Sequence, residues 1–294
     1  MNRALYRPGM RALAVCVAAG CVWWVTPQTV IPWTPNMPAL VRPDTLAKQD
    51  WPTAQAATPA YRPGESLQYR IRYGFIEAAT ADIRVKDLGH VGGRPTWQVI
   101  ATGKTNASFD WVFKVRDTYR SSIDVETQLP IRFVRDIQEG DYRLLQDYRF
   151  DWTRRTVETE EHRKRAPGTA FRLPPTVHDM VSAFYANRSR PMQQMKPGET
   201  MVIPSIIDGE YYPLTVKYGG KKQVKTPAGQ WNCLVFHPVI QKGRVWKESD
   251  DLTVFVSDDA NRIPVLVRTE IWVGAVEVEL ISCSGLRNPA ARRL

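Results

Sequence analysis

His178, Asp179 and Ser182 put a base, an acid and a hydroxyl within five positions, the types from which nucleophilic chemistry is built. Helical spacing sets His178 and Ser182 on one face. A triad needs the base held between nucleophile and orienting acid by opposite ring nitrogens, and three neighbours on one turn do not provide that. Asp179 reads better as a helix-start carboxylate favoured by the dipole. Glu270 and Glu277, with Glu279 and Arg268 beside them, form the other polar group of interest: a solvated charge ladder, or a cation or ligand site. Asp250-Asp251 and Asp258-Asp259 lack the ordered spacing of a calcium loop. No two of the four histidines share a metal spacing, and Cys233 and Cys283 have no Cx₂C partner. No Gly-rich loop precedes a helix to cradle phosphate. The residues therefore point to no catalytic set, no metal and no cofactor. Aromatic side chains are abundant. Tyr69, Tyr73, Trp97, Tyr119, Phe133 and Phe184 are the expected lining of an apolar ligand site, the alternative being a packed core.

The elements that must position these residues read as strands. Leu252 to Ser282 is a β-meander of three apolar runs and two turn signals. With Val273-Gly274 as a two-residue loop, Ile271 opposes Val276, Thr269 opposes Val278 and Val267 opposes Leu280 on a dry face. Arg268 then opposes Glu279, and Glu270 opposes Glu277, on a wet one. A sheet with one dry and one wet side is antiparallel. Leu67 to Tyr73 alternates in the same way, and further strands are expected at 79–85, 96–105, 112–123, 131–138, 142–150 and 155–161. After the basic cluster Arg163-Lys164-Arg165, the stretch from His162 to Pro175 reads as an exposed loop. Thr176 to Asn187 is the one helix, capped by Thr176, with Val177, Met180, Val181, Phe184 and Tyr185 as its apolar stripe. Strands resume at 201–207, 211–218, 222–226 and 231–239. The expected fold is all-β: a large antiparallel, strongly curved sheet, a barrel or half-barrel-like sandwich, with one short amphipathic helix over about 176–187.

Composition bounds the setting. The chain has 294 residues and a formal net charge of +10, most of that surplus after residue 60. A basic folded part suggests anionic company. Arg3, Arg7 and Arg11 precede an apolar run from Ala12 to Val25, the layout of an export signal. Export excludes nucleic acid and leaves lipid headgroups or an anionic envelope polymer. Val17-Ala18-Ala19-Gly20-Cys21 resembles a lipoprotein cleavage box with Cys21 as the lipidation candidate; an uncleaved anchor and downstream cleavage are the alternatives. Residues 1–26 are thus a signal peptide or membrane anchor. Residues 27–60 are a Pro-rich tether that would reach on the order of 100 Å fully extended. Residues 61–284 are the β-rich domain and 285–294 a basic C-terminal tail. In an oxidising periplasm Cys233 and Cys283 are a disulfide candidate, or else two buried thiols.

Four small features together resemble a bacterial family, domain of unknown function 3108. They are Gly64-Glu65-x-Leu67-x-Tyr69, Asp179-x-x-Ser182-x-x-Tyr185, Thr226-Pro227-Ala228-Gly229, and Arg262-x-Pro264 leading to Gly274. Their order and spacing, over about residues 61–281, carry the likeness. The resemblance implies an exported, β-rich envelope protein of no established activity. The function expected is non-enzymatic: a periplasmic, membrane-tethered protein of a Gram-negative-type envelope whose β domain binds an apolar or amphiphilic ligand such as lipid. The alternatives are a structural or interaction module with a filled core and, third, an envelope hydrolase.

Overall fold

Burial with a period of two runs through this chain. In the first strand, β1 (Ser66–Tyr73), Leu67, Tyr69 and Ile71 are buried while Gln68 is exposed and Arg70 and Arg72 are half-buried. One face of such a strand must be covered, and successive hairpins cover it by curling the sheet. A computed structural model describes residues 58–161, 169–190, 192, 194–239, 252–270 and 274–293. The signal-like run, Cys21, the tether up to residue 57, the cluster Arg163-Lys164-Arg165 and Asp250-Asp251 lie outside them. No helix among the described residues is long and apolar enough to cross a membrane.

Seven more strands follow β1 in the first part of the chain: β2 (Ile76–Val91), β3 (Arg94–Thr105), β4 (Arg116–Asp124), β5 (Pro130–Glu139), β6 (Tyr142–Asp151), β7 (Thr156–Glu161) and β8 (Thr169–Arg172). A one-turn helix, α1 (Ala107–Asp110), lies between β3 and β4. The helix α2 (Met180–Arg188) comes next. Then come β9 (Thr200–Ile207), β10 (Glu210–Thr226), β11 (Gly229–Pro238), β12 (Leu252–Ser257), β13 (Pro264–Glu270), β14 (Ala275–Ser284) and the short β15 (Arg292–Arg293). All strand pairs are antiparallel, in the order β8-β7-β6-β5-β4-β3-β2-β1-β14-β13-β12-β11-β10-β9, with β15 added beside β11. The β1–β14 pair is therefore a seam. On one side lies an N-terminal arm, β1–β8; on the other a C-terminal arm, β9–β14. The arms curl toward each other without closing. The β9–β10 turn reaches the inner face of the N-terminal arm, where Asp208 pairs with Arg135 at 2.8 Å and Gly209 lies beside Thr159. The edge of β9 is partly covered by His178, whose amide donates to the Pro204 carbonyl at 2.9 Å and whose carbonyl accepts from Ile206 at 2.8 Å.

The β13–β14 register differs from expectation by two residues. Val267 faces Val278, Thr269 faces Val276, Arg268 faces Glu277 and Glu270 faces Ala275. Ile271 and Val273, on which the expected two-residue loop rests, lie outside the described residues. A shift of two leaves every side chain on its face, so Val267, Val276, Val278 and Leu280 remain buried as expected. Other differences are local. The stretch expected as a loop from His162 holds β8. Residues 112–115 precede β4 instead of belonging to it. The strands expected at 211–218 and 222–226 are one, the 17-residue β10, with Gly219-Gly220 as a bulge inside it. A Cβ on Gly219 would meet His237 Nε2 at 2.6 Å, so the close approach demands glycine. The C-terminal residues are no free tail: Asn288 N donates to Asn261 Oδ1, Ala291 N to Asp259 Oδ2, and Arg292 to the Ala228 carbonyl. Ala60, placed in the tether by composition, is buried and donates to Ser189 Oγ at 3.0 Å.

Candidate functional site

The helix α2 is the centre of the site. Its cap is Asp179, not Thr176. The Asp179 carboxylate accepts from the amides of Val181 and Ser182, and Ser182 Oγ accepts from the Asp179 amide, a reciprocal capping box. Ser182 Oγ and Ser121 Oγ of β4 both donate to Asp179 Oδ2, at 2.8 and 2.7 Å. The expected amphipathic face is also corrected. Every residue of α2 except Phe184 is buried, because the helix lies inside the curl and packs on β4 of one arm and β9 of the other. A helix buried all round needs its polar residues satisfied within the core. Arg188 forms a bidentate pair with Glu65 at 2.7 and 2.8 Å, both side chains essentially inaccessible. Its Nε donates to the Asn261 carbonyl, and Tyr185 Oη donates to Glu65 at 3.0 Å. The guanidinium also stacks over the rings of Tyr185 and Tyr61.

Between α2 and the C-terminal arm lies a partly open cavity of about 80 Å³. Met180, Met192, Met201, Ile203, Leu214 and Val256 form much of its wall. Polar groups enter it at the C-terminal end of α2, from Asn187 and Arg262. Both are more than nine-tenths buried. Asn187 Nδ2 donates to the Ala183 carbonyl, and its Oδ1 has no hydrogen-bond partner. Arg262 Nη1 donates to the carbonyls of Arg188 and Arg190, closing the end of the helix. Burial lowers the Arg262 pKa from its ordinary value, partly offset by Asp258 and Asp259.

Of the six aromatic residues expected to line a ligand site, the cavity uses only Phe184. Tyr69, Tyr119 and Phe133 are fully buried core, and Tyr73 and Trp97 pack half-buried against it. Tyr69 Oη is spent on the Pro264 carbonyl at 2.9 Å. Sequence reasoning missed the methionines, Asn187 and Arg262. One signal was available: four of the seven methionines fall between residues 180 and 201, and methionine is the adaptable lining residue.

The other candidates sort by burial. His178 is buried and its pKa is pushed down to about 3, so it is neutral; Asp179 is saturated by other donors and does not orient it. Cys233 and Cys283 are free thiols, correcting the disulfide expectation, because β12 and β13 separate their strands in the sheet. Burial pushes the Cys233 thiol up to about 12, which makes it inert. Glu270 and Glu277 stay on the wet face, each 3.8 Å from Arg268. Glu279 is covered by Arg70 at 2.6 Å and Arg72 at 3.4 Å. The interior acid pair is one that sequence reasoning did not find. Asp117 is buried in the N-terminal arm with the half-buried Glu139 beside it; burial first, then the charge of Glu139, pushes Asp117 up to about 7, and burial raises Glu139. Among the described residues no group of three or more His, Cys, Asp or Glu could hold a metal ion.

The family model DUF3108, protein of unknown function, matches residues 68–281. The chain belongs to the DUF3108 family. Comparison with curated proteins gives no match. Among solved structures, the DUF3108 chain is similar to the β-barrel-like protein of domain of unknown function DUF1849 from Brucella abortus. The TM-score is 0.52 and the identity 9%, over 78% of this chain and 100% of that one, which is a likeness of fold alone. A candidate exported protein with a YmcC-like fold from Bacteroides fragilis covers the same shares at 11% identity and TM-score 0.34. The hypothetical protein CT021 from Chlamydia trachomatis has 7% identity and TM-score 0.34, over 79% of this chain and 92% of that one. Several of the residues that mark the DUF3108 resemblance act on one element. Glu65, Asp179, Ser182, Tyr185 and Arg262 all fix α2 in place, and Tyr69 ties β1 to Pro264.

Proposed function

We propose that this DUF3108 protein is a non-enzymatic, exported envelope protein whose C-terminal arm takes the apolar chain of a ligand. The cavity against α2 carries this reading. A core that aims only at stability fills its volume to crystal-like density. Here an aliphatic, methionine-rich wall surrounds open space beside a rigidly anchored helix. The volume is below the 150 Å³ that admits a benzene in an engineered cavity, so a segment of chain enters, not a whole lipid. Methionine side chains give such a wall room to adjust. The signal-like N-terminus and the Pro-rich stretch support export and tethering to a membrane, with Cys21 as the lipidation candidate. The basic surplus suits an anionic surface or envelope polymer nearby.

Native mass spectrometry of the full-length protein purified from its envelope tests this. A stoichiometric bound amphiphile that is lost on replacing Ala183 with Leu, at the cavity wall, is the expected result. Protein that carries no amphiphile and takes up none from added lipid would show the second arm to be a structural module.

A further inference from the structure

The polar end of the cavity is unusual in what it leaves unspent. Arg188 also reaches the wall, but all three of its guanidinium nitrogens are engaged by Glu65 and Asn261. Arg262 is different. Its Nη1 is used on two carbonyls, and neither Nε nor Nη2 has a hydrogen-bond partner among the described residues. No described carboxylate lies within ion-pair distance of it. The acids of its own turn are committed elsewhere: Asp258 to Lys221, and Asp259 to Ser257, Asn261, Ala291 and the Arg262 amide. Those two nitrogens of Arg262 are not sealed from solvent, so a ligand oxygen arriving there would replace water. Beside Arg262, the unpartnered Asn187 Oδ1 is an acceptor that lacks a donor. Leaving such an atom buried and unbonded is unfavourable. The two groups ask for different things, an oxygen rich in charge and a hydrogen to receive.

We infer that the cavity takes an amphiphile whose polar end carries an anionic oxygen next to a hydroxyl or amide N–H, Arg262 holding the oxygen and Asn187 accepting the hydrogen. This rests on the ligand reading above and adds its head chemistry. Ile203, Leu214 and Val256 offer the first carbons of the chain an aliphatic wall, and the remainder leaves through the open side of the cavity. A hydroxylated acyl acid or an N-acyl amide satisfies both groups. A plain fatty acid satisfies Arg262 alone, a fatty alcohol at most Asn187, and an alkylammonium sets a like charge against Arg262.

Calorimetric titration of the full-length protein with four octyl probes at pH 8 tests this. The expected order is 3-hydroxyoctanoate, octanoate, octan-1-ol, octylammonium, with about fivefold between the first two and about tenfold between octanoate and octan-1-ol. Asn187→Ala should abolish the advantage of 3-hydroxyoctanoate over octanoate and leave octanoate unchanged. Arg262→Gln should abolish the advantage of the acids over the alcohol. Because Arg262 also closes α2, the order of the four probes on the unaltered protein decides the matter if that variant does not fold. If none of the probes binds, the ligand reading itself fails. If all bind alike, or octylammonium binds best, the cavity is a ligand site and this assignment of its head chemistry is wrong.

Discussion

The two arms of the sheet share a helix and differ in how they are filled. The N-terminal arm is packed with rings: Tyr119, Phe133, Tyr148, Phe150 and Trp152 are all buried, several in ring-to-ring contact. The C-terminal arm faces α2 mainly with aliphatic and methionine side chains, with Phe236 of β11 among them, and keeps a cavity. Their buried charges differ too. The first arm holds a buried Asp117 with Glu139 and Arg135 close by, and the second a cation, Arg262, that no described carboxylate pairs. Rigid aromatic rings fill a space and fix it; flexible thioethers line a space that can be refilled. The richest supply of aromatic residues is thus a guide to the structural arm, not to the site.

The comparison breaks most completely at the element common to both arms. Replacing Glu65 with Ala would strand Arg188 as a buried charge at a cost of about 3–5 kcal/mol in urea unfolding. The double variant Glu65→Gln, Arg188→Met should lose less than the single one, since no charge is left unpaired. A single and a double variant of equal stability would show that the pair does not hold α2.

Overpacking each arm comes next. Ala101→Leu in the filled arm should cost about 1–3 kcal/mol, whereas Ala183→Leu at the cavity should cost under about 1 kcal/mol because space is there. Equal losses in thermal or urea unfolding would erase the difference between the arms.

The buried acid of the first arm sets a pH dependence. The folded state holds a proton on Asp117 that the unfolded chain releases above its ordinary pKa of 3.8. The unfolded chain then binds fewer protons, so this group's contribution to stability is full below 3.8 and declines as pH rises toward about 7. Asp117→Asn should flatten that decline, seen as the difference between the two proteins' urea midpoints from pH 4 to 8. A wild-type protein that gains stability over Asp117→Asn with rising pH would contradict the burial of the acid.

The smallest effect belongs to the wet face of the β13–β14 pair. Arg268 is half-exposed and sits 3.8 Å from both Glu270 and Glu277, so Arg268→Ala should cost about 0.2–1 kcal/mol. Its neighbour Val267 is buried on the dry face, and Val267→Asp should cost several times more in the same urea experiment.

Much of this was legible in the residues. Alternation assigned faces to the strands, and the hairpin signals at Asp208-Gly209 and Gly140-Asp141 fell where turns occur. Asp179 and Ser182 carried the helix start, although the cap was displaced by three positions because Thr176 offered a rival hydroxyl. The β13–β14 register was not legible, since a period of two cannot tell a shift of two from none. Gly219-Gly220 was ambiguous because a turn and a bulge use the same glycine freedom.

The sequence by itself determined an all-β chain with the helix that became α2, and which side of most strands is dry; the one-turn α1 was not foreseen. Those are local properties, set by spacing along the backbone. Only the tertiary structure decided that Glu65 meets Arg188 across 123 positions and that the C-terminal residues return to β11. It alone decided that the open space lies beside the methionines of α2 and β9 and away from the ring-packed N-terminal arm. A cavity is the volume that several distant elements fail to fill, and no stretch of residues carries that in its own pattern.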